Sequence, residues 1–349
     1  MMNVVKLLEQ ARNNKSFSGA VFAYGNSHEI VAQGAIGTLV WGGQKTEIDS
    51  LWDLASVTKP LVALALMKLF EQGVLSLEDT ISYFLPSYEG TDKAEITLFE
   101  LLAHTSGIPG QQPLYKHAKT VEDMKVAVRQ LPLRHERGTY VEYTSQGFMI
   151  VGDIIEQVVD KRLDEAMNEL VFHPIGVKNT LFNPPVMLKN RIAATENCPW
   201  RNQMVKGQVH DENCVVLGGV AGHAGLFGTA EDLSTICQMM LRKGATDQED
   251  YLKAPTVRVM TNNFTSSLNL ARALGWQAKD QHGSPAGDLF SPSSYGHTGF
   301  TGTSIWMDPE KDLFAVLLTN RVHPTRENHS IQRIRRLFHN LVVLNMDNN

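Results

Sequence analysis

The chain has 349 residues, 43% of them hydrophobic and 20% charged, enough apolar material for a large buried core. Its 32 basic and 37 acidic side chains leave a net charge of −5 with no basic stripe, which argues against nucleic acid as a partner. The longest apolar stretches are broken by Lys, Glu or His well short of the roughly 20 residues that a membrane span requires.

The N-terminus, MMNVVKLLEQARNNKSF, has a four-residue apolar cluster around Lys6 and then Glu9. A secretory signal needs a longer apolar run and a small-residue cleavage site, so the expected location is the cytoplasm. Cys198, Cys214 and Cys237 are an odd number without C-x-x-C spacing, which predicts neither a disulfide framework nor a zinc site.

In chain order, the first segment predicts a helix over about 3–13, followed by strands at Gly19 to Tyr24 and Glu29 to Gly34. Pro60 to Gln72 is apolar almost all round and ends at Gly73, as a helix buried in the core would. Thr97 with Glu100 is a capping-box pattern before LLAH. Gly147 to Val159 is a further helical run, and Thr229 precedes AEDLSTICQMMLRK, which stops at Gly244. Towards the C-terminus, Ser304 to Met307 and Leu313 to Thr319 are β-rich runs separated by DPEKD. The second is apolar on both alternating faces and should be a strand covered by helices on each side. A last helix is expected over about 327–344.

Strands from both chain ends, with a mostly helical stretch between them, predict an α+β fold with an antiparallel sheet flanked by helices. The expected organisation is one catalytic unit over 3–344. Its sheet region covers about 1–90 and 255–349, and its helical region about 91–254.

Three short motifs carry chemistry. Ser56-Val57-Thr58-Lys59 precedes the apolar helix, and residues three apart share one helical face, so hydroxyl and amine can meet. A serine hydroxyl is a weak nucleophile until a base takes its proton, and a partly desolvated Lys can serve. Backbone N–H groups at a helix start also point toward a developing oxyanion. Tyr143-Thr144-Ser145 opens the helical run QGFMIVGDIIE, where Tyr143 and Ser145 can both line a groove. His297-Thr298-Gly299 stands just before the strand GTSIWMDP, where small residues let a substrate backbone approach closely. Taken singly, each motif also fits an ordinary helix, cap or turn. Their order and spacing, 84 residues from Lys59 to Tyr143 and 152 from Ser145 to His297, make joint coincidence improbable.

Together they resemble the serine β-lactamase and penicillin-binding-protein-like family, in its class C β-lactamase, carboxylesterase and D-aminopeptidase branch. The similarity runs through LWDLASVTKPLVALALMKLFEQGVLSLEDTI, LLAHTSGIPG, YTSQGFMIVGDIIE, GHAGLFGTAEDL and YGHTGFTGTSIWMDP. These motifs are specific for the family rather than for a substrate. The resemblance implies that Ser56 attacks a carbonyl, and that Lys59 takes its proton or shares it with Tyr143, the general base and acid that later activates water. It implies an oxyanion hole from the amides of Ser56 and Phe300, and a substrate wall at Ser145, His297, Thr298 and Gly299. No cofactor or metal is expected.

Two departures bear on the substrate. Class C β-lactamases resemble Tyr-x-Asn and Lys-Thr-Gly, whereas this chain has Ser145 and His297 at those places. A mostly neutral imidazole forfeits charge attraction to a β-lactam carboxylate, so neutral small esters and amides are expected to be preferred. Cell-wall peptide fragments are among the candidates, because HDENCVVLGGVAGHAGLF (210–227) is similar to a stretch in an N-acetylmuramyl-L-alanine amidase subset. That polar, then Gly-rich stretch is expected near the groove, with His210 or His223 as candidate substrate contacts. A metal at His210-Asp211-Glu212 is rejected because adjacent residues point apart. The rival functions are a true class C β-lactamase or DD-peptidase, and a penicillin-binding sensor without turnover. Lys59 together with Tyr143 argues against the sensor, which has no need of them.

Overall fold

The computed structural model describes residues 3–347. Helix α1 (Val4–Asn13) starts where the Asn3 side chain accepts the Lys6 N–H, and it buries Val4, Leu7, Leu8 and Ala11 on one face. Strands β1 (Gly19–Gly25) and β2 (Ile30–Gly37) follow as an antiparallel hairpin. Helix α2 (Thr58–Glu71) is buried at every position from Thr58 to Met67, the all-round burial that its sequence predicts. Thr97 and Glu100 form both bonds of the capping box on the short helix Leu98–Leu102. Helix α3 (Gln146–Val159) and helix α4 (Ala230–Leu241) complete the long middle of the chain. Beyond α4 the Lys243 and Gly244 amides close its last carbonyls at Met240 and Met239, which is how Gly244 ends it.

The C-terminal third supplies β3 (Gln277–Ala278), β4 (Tyr295–Thr298), β5 (Ser304–Asp308), β6 (Leu313–Thr319) and helix α5 (Ile331–Met346). One antiparallel sheet runs in the order β2-β1-β6-β5-β4-β3, so strands from both ends of the chain meet at β1 and β6. This is the α+β arrangement expected. Phe314, Val316 and Leu318 of β6 enter the core shared with Leu233 and Ile236 of α4. Leu313, Ala315 and Leu317 point the other way, into the core shared with Phe338 and Val342 of α5. The strand is covered on both faces because both alternating sets are apolar.

Three details differ from expectation. Residues 52–53, 181–182 and 226–228 form a small separate sheet, and 197–198 pairs with 203–204; these strands are too short to show alternation. Helix α5 begins at Ile331 rather than near 327, because the carbonyls of Arg326 and Asn328 are taken by the Arg321 guanidinium. None of the described helices is long and apolar enough to cross a membrane.

Asn320, at the end of β6, ties the layers together. Its Oδ1 accepts the amides of Ser18 and Gly19, and its Nδ2 donates to Ser18 Oγ and the carbonyls of Leu39 and Ala194. Removing it strands several buried partners, at about 1–3 kcal/mol each where water cannot reach. Asn320→Leu should therefore lower the unfolding free energy by about 3 kcal/mol or more, measured by urea denaturation. A change below about 1 kcal/mol would contradict this reading.

Candidate active site

Ser56 lies in a single tight turn, Ala55–Val57, between a two-residue strand and α2. The Asp53 carboxylate holds this turn by accepting the amides of Ala55 at 2.8 Å and His210 at 2.6 Å. Lys59, one turn into the helical segment, has no exposed surface. Its Nζ stands 3.0 Å from Ser56 Oγ, 3.5 Å from Ser145 Oγ and 3.2 Å from the His223 carbonyl. Two hydroxyl oxygens and a carbonyl oxygen thus surround the Nζ.

Tyr143 sits beside this pair, its ring centroid 4.8 Å from Lys59 Nζ. Arg272 approaches the same ring at 5.1 Å, with the His104 and His297 rings at 4.8 and 5.9 Å. The Tyr143 hydroxyl is buried and has no partner within the described chain.

His297 is buried in β4, and its Nδ1 lies 2.9 Å from the Thr298 carbonyl. A carbonyl only accepts, so Nδ1 carries the hydrogen and Nε2 keeps a lone pair. Burial, reinforced by the Lys59 and Arg272 cations, holds the His297 pKa well below the usual imidazole range. The ring is therefore neutral, as the sequence suggests, but its free nitrogen is an acceptor rather than a donor.

The loop after β4 is fastened to the backbone just before Ser56. Thr301 and Thr303 hydroxyls donate to the carbonyls of Asp53 and Leu54. Arg335 Nη2 donates to the carbonyls of Gly299 and Thr303, and Arg321 Nε to that of Phe300. Gly299 has no room for a side chain, since a Cβ there would stand 2.0 Å from Thr303 Oγ1 and 2.5 Å from the Leu54 oxygen. Ser56, Tyr143, His297, Thr298, Gly299 and Phe300 line one cleft of about 360 Å³. Ser145 stays beneath it, against Lys59.

The histidines of 210–227 are placed differently from the substrate contacts expected of them. His223 is 1% exposed and does not line the cleft; its Nε2 meets Asp211 Oδ1 at 2.9 Å, while its carbonyl holds Lys59. Burial would raise the Asp211 pKa, but His223, the Cys214 amide and Lys59 hold it far below the carboxylate range. His210 bonds Glu196 at 3.0 Å and stacks behind Phe300, whose ring centroid is 5.6 Å away. Glu196, Cys198 and Glu212 bring possible ligand atoms within 4.8 Å of one another. The Arg326 guanidinium bonds both carboxylates there and so occupies the position between them.

Sequence reasoning missed Arg272. It lines the cleft, is only 7% exposed, and ion-pairs with no carboxylate among the described residues. A single arginine in RALGW has no pattern that could announce this role. His104 was visible only as part of LLAHTSG; it packs on Tyr143, and its Nδ1 accepts the Thr144 amide at 3.3 Å.

A cleft lined by a serine and a tyrosine, with a buried lysine in contact with the serine hydroxyl, is the arrangement of a serine hydrolase of the S-x-x-K type. The chain belongs to the β-lactamase family, whose model matches residues 4–339. A protein of Escherichia coli K12 named "Putative D-alanyl-D-alanine carboxypeptidase" is 33% identical, over 80% of this chain and 71% of its own. An N-acetylmuramyl-L-alanine amidase of Bacillus subtilis 168 is 31% identical, over 88% of this chain and 78% of its own. Among solved structures, the hydrolase EstCE1, described as having promiscuous acyltransferase activity, superposes with a TM-score of 0.80 at 21% identity. That match covers 97% of each chain. A class C β-lactamase of Rhodobacter sphaeroides gives 0.77 at 19% identity, covering 98% of this chain and 99% of its own. These two structures share the fold.

Burial also fixes how stability responds to pH. His104 and His297 have pKa values well below the usual 6.5, and burial pushes His339 down to about 3. The unfolded chain binds these protons below about pH 6.5 while the native chain does not, so stability is lost as pH falls below that value. Each histidine contributes about 1.4 kcal/mol per pH unit in that window. His323, also lowered by burial, adds to the trend, while Asp53 and Asp153, whose burial raises their pKa, oppose it, two groups against four. The urea midpoint should therefore decline from pH 6.5 to pH 5; a flat or rising midpoint would contradict it.

Proposed function

We propose that Ser56 is the acylated nucleophile of a hydrolase that cleaves small amides or esters carrying a carboxylate near the scissile bond. The observation that carries this reading is the 3.0 Å contact between Ser56 Oγ and the fully buried Lys59 Nζ, at the floor of the cleft that Tyr143 lines.

In the proposed sequence, Lys59 in its amine form takes the Ser56 proton, directly or through the Tyr143 hydroxyl, as Oγ attacks the carbonyl carbon. The amides of Ser56 and Phe300 receive the oxyanion, and the fastening of 299–303 to Asp53 and Leu54 supports this by fixing the two segments together. The tetrahedral adduct collapses, the scissile bond breaks, and the departing amine or alcohol takes the proton through Tyr143. Water then attacks the acyl ester with Tyr143 as base, and the proton returns to Ser56 Oγ. Asp211 and His223 serve as positioning residues, keeping the His223 carbonyl against Lys59.

The preference for neutral substrates expected from His297 gives way here. The missing cation of the third motif is matched by Arg272, a buried guanidinium in the same cleft with no carboxylate paired to it. Asp280 acts on this guanidinium only from beyond ion-pair contact, so a substrate carboxylate in the cleft would offset part of the cost of burying it. The names of the two relatives, "Putative D-alanyl-D-alanine carboxypeptidase" and "N-acetylmuramyl-L-alanine amidase", support short peptide amides as that substrate class.

Wild-type enzyme should turn over p-nitrophenyl acetate repeatedly and accept a fluorophosphonate label, and Ser56→Ala should lose both. Lys59→Ala and Tyr143→Phe should each lower kcat by roughly 10²–10⁴. The double variant should lose less than the product of the two, because the groups act as a unit. Full labelling of Ser56→Ala, or one stoichiometric burst by wild type without turnover, would overturn the reading.

A further inference from the structure

The cleft at Ser56 has a neighbour. Thr298, Gln332 and Arg335 line it and also line a second compartment of about 690 Å³, so the two adjoin at these three residues. The second compartment follows α5 from Gln332 to Asn340 and is closed on its other side by Gly283, Pro285 and Asp288. Eight residues of helix span about 12 Å, enough to lay down roughly three extended peptide residues.

Its charge is one-sided. Arg333, Arg335 and Arg336 line it against a single carboxylate, Asp288, in a chain whose net charge is −5. Asp288 is already engaged by Arg336 at 2.9 Å and Asn340 at 2.8 Å. Arg333 makes no ion pair among the described residues. Arg335, at the junction of the compartments, is 7% exposed; its Nη2 serves two backbone carbonyls, and among the described residues its Nε has no hydrogen-bond partner and the guanidinium no ion pair. Two buried guanidiniums that contact no carboxylate among the described residues, Arg272 and Arg335, thus stand along the adjoining compartments, followed by the exposed Arg333 and the half-buried Arg336, which shares its charge with Asp288.

We propose that the compartment beyond Arg335 is a second anion subsite, which takes a carboxylate carried on the substrate about two or three residues from the scissile bond. The substrate is then an acidic peptide amide with two negative charges, one met at Arg272 and one by Arg333 and Arg336. The inference rests on the hydrolase reading above and adds the remote charge to it.

The test uses synthetic peptide amides that differ only in Gln against Glu, placed two or three residues from the scissile bond on either side of it. With charge-assisted bonds worth about 1.5–3 kcal/mol, wild type should prefer Glu in kcat/KM by about 10-fold or more at one of these positions. The preference should shrink between about 0.05 and 0.5 M salt, since the outer arginines are exposed to screening. It should fall toward one in the Arg333→Gln, Arg336→Gln double variant and survive in the Arg333→Lys, Arg336→Lys variant. Turnover of both peptides by wild type without a Glu preference at any position overturns the subsite and leaves the hydrolase reading standing. So does a preference that persists in the double Gln variant. Failure of wild type to turn over the peptides and p-nitrophenyl acetate alike overturns the hydrolase reading and the subsite with it.

Discussion

A lysine with no exposed surface is costly to bury unless its amine finds partners, and Lys59 finds them in three separate segments of the chain. Ser56 comes from the turn before α2, Ser145 from the start of α3, and the His223 carbonyl from the Gly-rich loop after 210. Each of those segments is fixed in turn by its own surroundings. The all-round apolar α2 locks Lys59 into the core, and the Asp211–His223 contact holds the loop whose carbonyl it uses. The 299–303 loop is bonded to the residues just ahead of Ser56, which ties the sheet edge to the turn that carries it.

Electrostatics divide the cleft into neutral and charged walls. His104 and His297 are kept neutral by burial and by the neighbouring cations, so they add hydrogen-bonding shape without charge. The positive charge comes from arginines instead, Arg272 beside Tyr143 and Arg335 at the far end. An arginine does not lose its proton near pH 6.5, where an exposed histidine would titrate, so the positive charge of the cleft is insensitive to pH there.

Much of this was legible in the sequence, and the reasons are physical. The alternation in Leu313–Thr319 is apolar on both faces, and the strand is indeed packed between two helices. S-x-x-K places two side chains on one helical face whatever the rest of the fold does, so the Ser56–Lys59 contact follows from local geometry. What stayed hidden depends on long-range packing. His223 carried no mark showing that its carbonyl, rather than its ring, would face the nucleophile's lysine. Arg272 lies 129 positions from Tyr143 in the chain, and only the folded sheet brings them together. Helix α5 starts late because Arg321 takes the carbonyls of the preceding loop, a tertiary effect that capping patterns do not encode.

The most direct measurement is the location of the covalent intermediate. Wild-type protein is mixed with a slowly deacylating activated ester, quenched in acid within seconds, digested and mapped by mass spectrometry. The acyl mass should sit on Ser56, in the peptide that contains Ser56-Val57-Thr58-Lys59, and should disappear as product forms. An adduct on another residue, or turnover with no adduct at any time point, would contradict the central claim.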